Sequence, residues 1–194
     1  MLDLERVLGL SDAPVLLLEG IRALPEADRA SVVAMGRMLA QSLPHVRFRS
    51  GNAEGTDTAF AEGVTSVDPA RMEYVMTHAG MGRKRRHPDS RALSLDDIPY
   101  VAEGPVSEYT VAASPSTRGL VEIFRARGRT GPLGSKVAYL LRDTAKVIGA
   151  PEAGLAPATA AIFYVNTDDP LAGGTGHTIR VCFDRNVPAI FQMT

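Results

Sequence analysis

The sequence lacks several features that would assign it to a class directly. Of its 194 residues only Cys182 is a cysteine, and none is a tryptophan. One cysteine cannot form an internal disulfide, which excludes disulfide-rich secreted scaffolds and makes a reducing cytoplasm the expected location. No segment approaches the ~20 consecutive apolar residues of a transmembrane helix. The first ten residues, MLDLERVLGL, carry acids where a signal peptide carries bases, so we predict no membrane association.

A large net charge is also lacking. The chain has 21 Lys and Arg against 22 Asp and Glu, a formal charge of -1, and 45% of its residues are hydrophobic. Disordered chains combine low hydrophobicity with high net charge, so a folded protein is expected. A near-neutral chain has no overall attraction to nucleic acid or to an anionic membrane. The length suits one domain, predicted over residues 1–194 with an insertion at 78–134.

Short apolar runs alternate with segments of helical period at both ends of the chain. The predicted strands are 14–18, 46–49, 72–76, 160–165 and 187–192, and the predicted helices are 26–41, 56–64, 117–127, 135–148 and 177–185. Alternation of this kind is typical of a parallel sheet with right-handed crossovers. We predict an α/β fold, a Rossmann-like three-layer sandwich whose mostly parallel five-stranded sheet has the order 3-2-1-4-5, with a helical insertion. Residues 91–95 also alternate, and a small extra strand there is left open.

Three segments follow predicted strands and should meet at the carboxyl edge of the sheet. They are residues 19–22, residues 50–57, and residues 166–169 leading into 173–178. The last is Gly-Gly-Thr-Gly-His-Thr before a predicted helix, where close backbone approach and unpaired amides favour an anion, most often phosphate. It is neither a dinucleotide fingerprint nor a Walker A loop. A phosphate site built from the two glycine-rich turns is predicted, and a merely tight connection is the alternative.

Both turns resemble motifs of a known superfamily. Ser50-Gly51-Asn52-Ala53-Glu54-Gly55-Thr56-Asp57, followed by Ala59-Phe60-Ala61, resembles the SGGA.G.D..A motif of the SLOG superfamily. Gly173-Gly174-Thr175 resembles the GGT turn of those families, and Gly20 with Arg22 loosely matches their GSR after the first strand. The superfamily includes DNA-processing protein A, the lonely-guy (LOG) hydrolases, and the YspA and YpsA groups of presumed nucleotide sensors. Over residues 13–77 and 135–192 the resemblance implies a Rossmann-like fold, a nucleotide or nucleotide-derivative ligand, and a homodimer.

The candidate ligand contacts are the glycines and polar residues of these turns, with one arginine of the helix predicted at 135–148. They are Gly20, Arg22, Ser50, Gly51, Asn52, Gly55, Thr56, Asp57, Arg142, Asn166, Gly173, Gly174, Thr175, Gly176, His177 and Thr178. The arginines would neutralise phosphate, while Thr56, Asp57 and Asn166 would bond to ribose or base. The alternatives are structural: Asp57 as a helix cap, His177 as an incidental polar contact, and Arg142 with Lys146 as a solvated stripe.

Two other functions stay open. LOG hydrolases cleave nucleoside monophosphates at the base–ribose bond, and Arg142 resembles their helical arginine. Their motif PGGxGTxxE has a glutamate where this chain has Ile179 and Arg180, so no catalytic residue is assigned. An oxocarbenium-like transition state would need a carboxylate from another loop, with these candidates: Glu19, Glu54, Asp57, Asp168 and Asp169.

The third function is single-stranded DNA binding through the basic run Arg83-Lys84-Arg85-Arg86-His87. No aromatic residues interrupt this run to stack on bases, which disfavours nucleic acid as the partner. A small nucleotide-type molecule is therefore the preferred ligand. Metal binding has no support, because the four histidines share no ligand spacing and the cysteine stands alone.

Overall fold

The computed structural model describes residues 3–166 and 168–193, and its centre is a six-stranded sheet. The strands are β1 Val15–Gly20, β2 Arg47–Ser50, β3 Met72–Met76, β4 Arg91–Ser94, β5 Ala160–Val165 and β6 Ala189–Met193. All neighbours pair in parallel, in the order β4-β3-β2-β1-β5-β6. The longer helices are α1 Leu4–Leu8, α2 Glu26–Ser42, α3 Thr56–Thr65, α4 Pro105–Ala113, α5 Arg118–Arg127, α6 Gly131–Ile148 and α7 Gly173–Asp184.

The prediction of five strands was wrong by one strand at the sheet edge. The five predicted strands lie in the predicted relative order, and the run that was left open, residues 91–94, forms β4 beside β3. A four-residue strand with two apolar side chains gives a weak sequence signal. Its place is set by long-range contacts, since Arg91 donates to Glu73 Oε1 at 3.2 Å and to the Ala153 carbonyl at 3.2 Å.

Helices cover both faces of the sheet, giving a Rossmann-like three-layer arrangement. Successive residues of β1 point to opposite faces, so Leu16 and Leu18 pack with α2 and α3 while Leu17 packs with the layer that contains α7. The α2–α3 side includes Val32 and Phe60. Since both faces are covered, every residue of β1, β3 and β5 is buried, including Glu19 and Glu73.

Two helices start four residues earlier than expected, and α1 and α4 were not predicted. α6 begins at Gly131 rather than Ser135, with Pro132 in its first turn. α7 begins at Gly173 rather than His177, because its first turn consists of glycines and threonine that show no apolar period. α4 was not predicted, because the sequence Gly104-Pro105 suits a chain break as well as a helix start. Proline suits the first position of a helix, where its missing N–H is not needed, and Gly104 precedes that position.

Helices of the predicted insertion pack onto the second face of the sheet. Val106 of α4 and Val121 and Phe124 of α5 belong to the same apolar cluster as Val137 and Leu141 of α6. In the described part of the chain, no helix combines the length and apolar character that a bilayer crossing requires.

Candidate functional site

A cavity of about 540 Å³ opens at the carboxyl edge of the sheet, between β1 and β5. The crossovers on the two sides of this position run in opposite directions, which makes it the switch point where ligands bind in such sheets. Its walls are residues 20–23 after β1, residues 165, 166, 169 and 170 after β5, the start of α7, three side chains of α6, and Glu19, Ala53 and Asp57. The volume lies within the range of ~300–1,000 Å³ that small-molecule sites occupy.

The first turn of α7 forms one wall of the cavity. Gly173, Gly174 and Thr175 line it, and no side chain among the described residues caps this helix end. First-turn amides have no intrahelical acceptor, so this wall carries hydrogen-bond donors and positive partial charge. Thr175 Oγ1 donates to the Gly20 carbonyl at 2.9 Å, which ties the helix start to the end of β1.

Five buried charged side chains form the floor of the cavity. Relative exposures are 3% for Glu19, 3% for Asp57, 1% for Asp143, 5% for Arg142 and 1% for Lys146. Lys146 Nζ pairs with Glu19 Oε1 and lies 2.8 Å from Asp143 Oδ1, which is also 2.9 Å from Arg142 Nη2. When all five are ionised, three carboxylates face two cations, so the floor has an excess of negative charge.

Burial is the main influence on the pKa values of these carboxyls. Burial raises the pKa of Glu19 to about 7, although Lys146 opposes the shift. Burial also raises the pKa of Asp57, again against the attraction of Lys146. Burial acts on Asp143 in the same direction, but Arg142 and Lys146 outweigh it and its pKa is lowered. Asp143 is therefore the stable anion of the group, and Glu19 exchanges a proton near neutral pH.

The first glycine-rich turn, residues 50–57, uses its amides internally. Asn52 N donates to Ser50 Oγ at 3.1 Å, Ala53 N to Asp57 Oδ2 at 3.1 Å, and Thr56 N to the Ile21 carbonyl at 3.2 Å. Asp57 also accepts from Gly20 N at 3.3 Å. Asp57 thus joins two strand ends, and this turn contributes its carboxylate to the cavity rather than a row of amides.

Two glycines of this turn are required by close contacts. A Cβ on Gly51 would lie 2.2 Å from Arg142 Nη1, which donates to the Gly51 carbonyl at 2.7 Å. Gly55 has φ +81°, and a Cβ there would lie 2.1 Å from the Arg22 carbonyl oxygen. Packing around the cavity therefore explains why the motif has glycine at positions 51 and 55.

The two arginines predicted to bind phosphate both lie close to the Tyr139 ring. The guanidinium carbon of Arg142 is 5.3 Å from the Tyr139 ring centroid, and that of Arg22 is 5.9 Å from it. Arg22 is exposed at the rim of the cavity. Arg142 is buried, so the alternative of a solvated stripe with Lys146 was wrong. Its Nε has no hydrogen-bond partner among the described residues.

Eight of the sixteen candidate residues line the cavity. They are Gly20, Arg22, Asp57, Arg142, Asn166, Gly173, Gly174 and Thr175. The other eight lie outside the lining: Ser50, Gly51, Asn52, Gly55, Thr56, Gly176, His177 and Thr178. Asn52 Nδ2 bonds instead to the Gly82 carbonyl at 3.1 Å, Thr56 Oγ1 to the Ile21 carbonyl at 2.9 Å, and Thr178 Oγ1 to the Gly174 carbonyl at 3.2 Å. Thr167, in the predicted segment 166–169, lies outside the described residues.

His177 is a buried link between helices. Its Nδ1 is 3.1 Å from Ser114 Oγ, and its Nε2 is 3.0 Å from Thr144 Oγ1. Burial lowers the pKa of His177 to about 4, so the ring is neutral at physiological pH. It connects the residues after α4 to α6 and α7, as the structural alternative proposed.

Sequence reasoning missed Asp143 as a site residue and interpreted Lys146 only as part of a surface stripe. A signal was present, because Arg142-Asp143 and Lys146 fall within one turn of a helix that is otherwise apolar on this side. Glu19 was named only as a possible carboxylate, and its position inside a run of buried leucines marks it as a functional candidate. Of the other carboxylates named, Asp169 lines the cavity.

The basic run after β3 is partly used by the protein itself. Arg85 bonds to Glu54 Oε1 at 3.0 Å, and Arg86 bonds to the Ala79 carbonyl at 3.2 Å. Arg83, Lys84 and Arg85 are exposed. Arg85 is thus exposed while paired with Glu54, and only Arg86 of the four cations is half-buried.

No protein-family model and no curated protein matches this chain. A solved structure that resembles it is DNA processing protein A from Helicobacter pylori, studied for its binding of single-stranded DNA. The similarity has a TM-score of 0.47 and 12% identity, and it covers 96% of this chain and 67% of that chain.

Proposed function

We propose that the protein binds a nucleotide or a phosphate-bearing nucleotide derivative in the cavity between β1 and β5. The observation that carries the proposal is that one cavity combines the uncapped start of α7, a rim arginine and buried carboxylates. Arginine binds anionic groups, backbone amides donate to phosphate or hydroxyl oxygens, and carboxylates accept from hydroxyl and amino groups. A nucleotide supplies both kinds of group in one molecule.

A thermal-shift screen tests this proposal. The ligands are ribonucleoside mono-, di- and triphosphates, the corresponding nucleosides, ribose 5-phosphate and inorganic phosphate. A ligand at about 100 times its Kd adds about 2.7 kcal/mol of stability. For a chain of this size, that raises Tm by roughly 5–10 °C. If no nucleotide or sugar phosphate shifts Tm, the proposed function is wrong.

The variant Arg22→Ala tests whether the thermal shift comes from ligand bound in the cavity. Arg22 is exposed at the rim, so its loss should leave the fold intact. We expect the variant to bind nucleoside phosphates about tenfold more weakly, while its weak affinity for nucleosides is unchanged. Arg83→Ala removes an exposed arginine outside the cavity and is the matched control. Equal losses in both variants would indicate a general effect of charge.

Hydrolysis of a nucleoside monophosphate at the base–ribose bond is the second candidate. It is favoured by Glu19, a cavity carboxyl whose pKa of about 7 suits proton transfer at neutral pH. Water would add at the anomeric carbon as the base leaves with a proton. Chromatography would detect the free base. We expect Glu19→Gln to reduce its release by at least ~100-fold. Intact nucleotide after prolonged incubation with the wild-type protein would rule out this candidate.

Membership of the SLOG superfamily is proposed on the two glycine-rich motifs alone. Residues 50–57 follow β2 and residues 173–178 open α7, the positions that the resemblance requires. The homodimer that this membership implies is part of the same proposal. Sedimentation equilibrium tests it, since a monomer at every concentration would contradict it.

A further inference from the structure

One carboxylate oxygen in the cavity lacks a partner, and it lies against the start of α7. Asp143 is buried at 1% exposure, and its Oδ1 contacts Arg142 and Lys146. Neither oxygen has a hydrogen bond of acceptable geometry in the described part of the chain, and Oδ2, unlike Oδ1, also has no cation within ion-pair distance there. A Cβ placed on Gly174 would lie 2.9 Å from this Oδ2, so the oxygen faces the first helical turn. A buried acceptor without a partner is costly unless a ligand satisfies it.

The surroundings of Oδ2 restrict the group that fits there. The first-turn amides of α7 donate hydrogen bonds, whereas Oδ2 only accepts them. A phosphate oxygen beside this turn would accept from the amides but would meet a carboxylate that remains ionised. A hydroxyl accepts from an amide and donates to a carboxylate, so it satisfies both sides.

We propose that the ligand places a ribose hydroxyl between the first turn of α7 and Asp143 Oδ2, so that the site selects ribonucleotides over deoxyribonucleotides. This inference rests on the proposed function and assigns its sugar. The phosphate would then bind to Arg22 at the rim. Among the described residues, no carboxylate lies within ion-pair distance of Arg22. The glycine-rich start of α7 thus binds sugar, in contrast to the phosphate expected from its sequence.

Paired titrations test the sugar assignment. Ribose 5-phosphate is compared with 2-deoxyribose 5-phosphate, and each ribonucleoside monophosphate is compared with its 2′-deoxy and 3′-deoxy forms by calorimetry. Loss of a hydrogen bond to a charged group weakens binding by about tenfold or more, and we expect this loss for the 2′-deoxy forms, which lack the hydroxyl that distinguishes ribonucleotides. A 2′-deoxy form that binds as tightly as its ribose counterpart would overturn the inference and leave nucleotide binding standing. Absence of binding by every ligand would overturn both.

Gly174→Ala provides an independent check. Its methyl group would occupy the space between the helix start and Oδ2 and should abolish the preference for ribose. Gly119→Ala lies in α5 with nothing within 4 Å of the added Cβ, and it should retain the preference. A Gly174→Ala variant that still prefers ribose as strongly as the wild type would overturn the assignment. Should Gly174→Ala fail to fold, Asp143→Asn offers the same comparison, with the ribose preference again expected to fall.

Discussion

Glu19→Gln tests the electrostatic description of the cavity floor. With Glu19 ionised, three carboxylates face the two cations Arg142 and Lys146, and the substitution leaves two against two. Lys146 retains Asp143 at 2.8 Å after the change. Because Gln is nearly isosteric and neutral, it resembles the protonated form that burial favours for Glu19. We therefore expect the variant to fold.

The magnitude follows from the pKa of Glu19, which rises from 4.5 to about 7 on folding. Between these values the folded state binds more protons than the unfolded state, so the free energy of unfolding falls as pH rises. A shift of this size at about 1.4 kcal/mol per pKa unit corresponds to about 3 kcal/mol. This contribution is fully present below pH 4.5 and is lost by the time the pH exceeds about 7. The Gln variant has no such dependence.

Urea unfolding of both proteins between pH 4 and 8 measures this difference. Other titrating groups are common to the two proteins, so the stability of wild type minus variant isolates Glu19. We expect the free energy of unfolding of the wild type, minus that of the variant, to fall by about 3 kcal/mol from pH 4 to pH 8. Glu62→Gln removes a carboxylate that is 54% exposed and should shift much less. A difference for Glu19→Gln that is flat, or that rises with pH, would refute the reasoning.

Three further predictions concern the framework around the cavity. Gly55→Ala, with its positive φ and backbone overlap, should lower the free energy of unfolding by at least ~2 kcal/mol in urea, whereas Gly119→Ala in an open helix position should raise it by ~0.5–1 kcal/mol. Arg49 is buried and pairs with Glu73 Oε2 at 2.8 Å, whereas Arg47 is 56% exposed and pairs with Glu73 Oε1 at 3.2 Å. Arg49→Met should therefore cost ~3–5 kcal/mol of stability, and Arg47→Met less than ~1 kcal/mol. If Arg49→Met and Arg47→Met lowered the stability equally, burial would not be what decides the cost of losing the arginine. The ring protons of His177 should show no titration in NMR between pH 5.5 and 8, and a midpoint in that range would mean that its burial is misjudged.

Much of the framework is predictable because its signals are local. Apolar runs such as residues 160–165 give buried strands, and the order of the five predicted strands follows from crossover handedness. β4 and α4 escape prediction for physical reasons. β4 owes its place to a partner strand, and the Gly-Pro pair before α4 equally suits a break or a helix start.

The site is predictable in location but not in chemistry. Strand ends and glycine-rich turns identify the sheet edge, and Gly173, Gly174 and Asp57 do line the cavity. The sequence does not reveal that the amides of residues 52, 53 and 56 are used internally, because this depends on Asp57 and Ile21 meeting in space. Sequence spacing also does not reveal that Asp143 of α6 lies against the start of α7, because this contact joins residues of two different helices.

The central claim is that the cavity between β1 and β5 holds a nucleotide. A crystal structure with the ribonucleoside monophosphate that gives the largest thermal shift tests it most directly. We expect density for the ligand between the start of α7 and Asp57, with the phosphate beside Arg22. Density for a bound nucleotide at another surface, with this cavity occupied only by solvent, would contradict the claim.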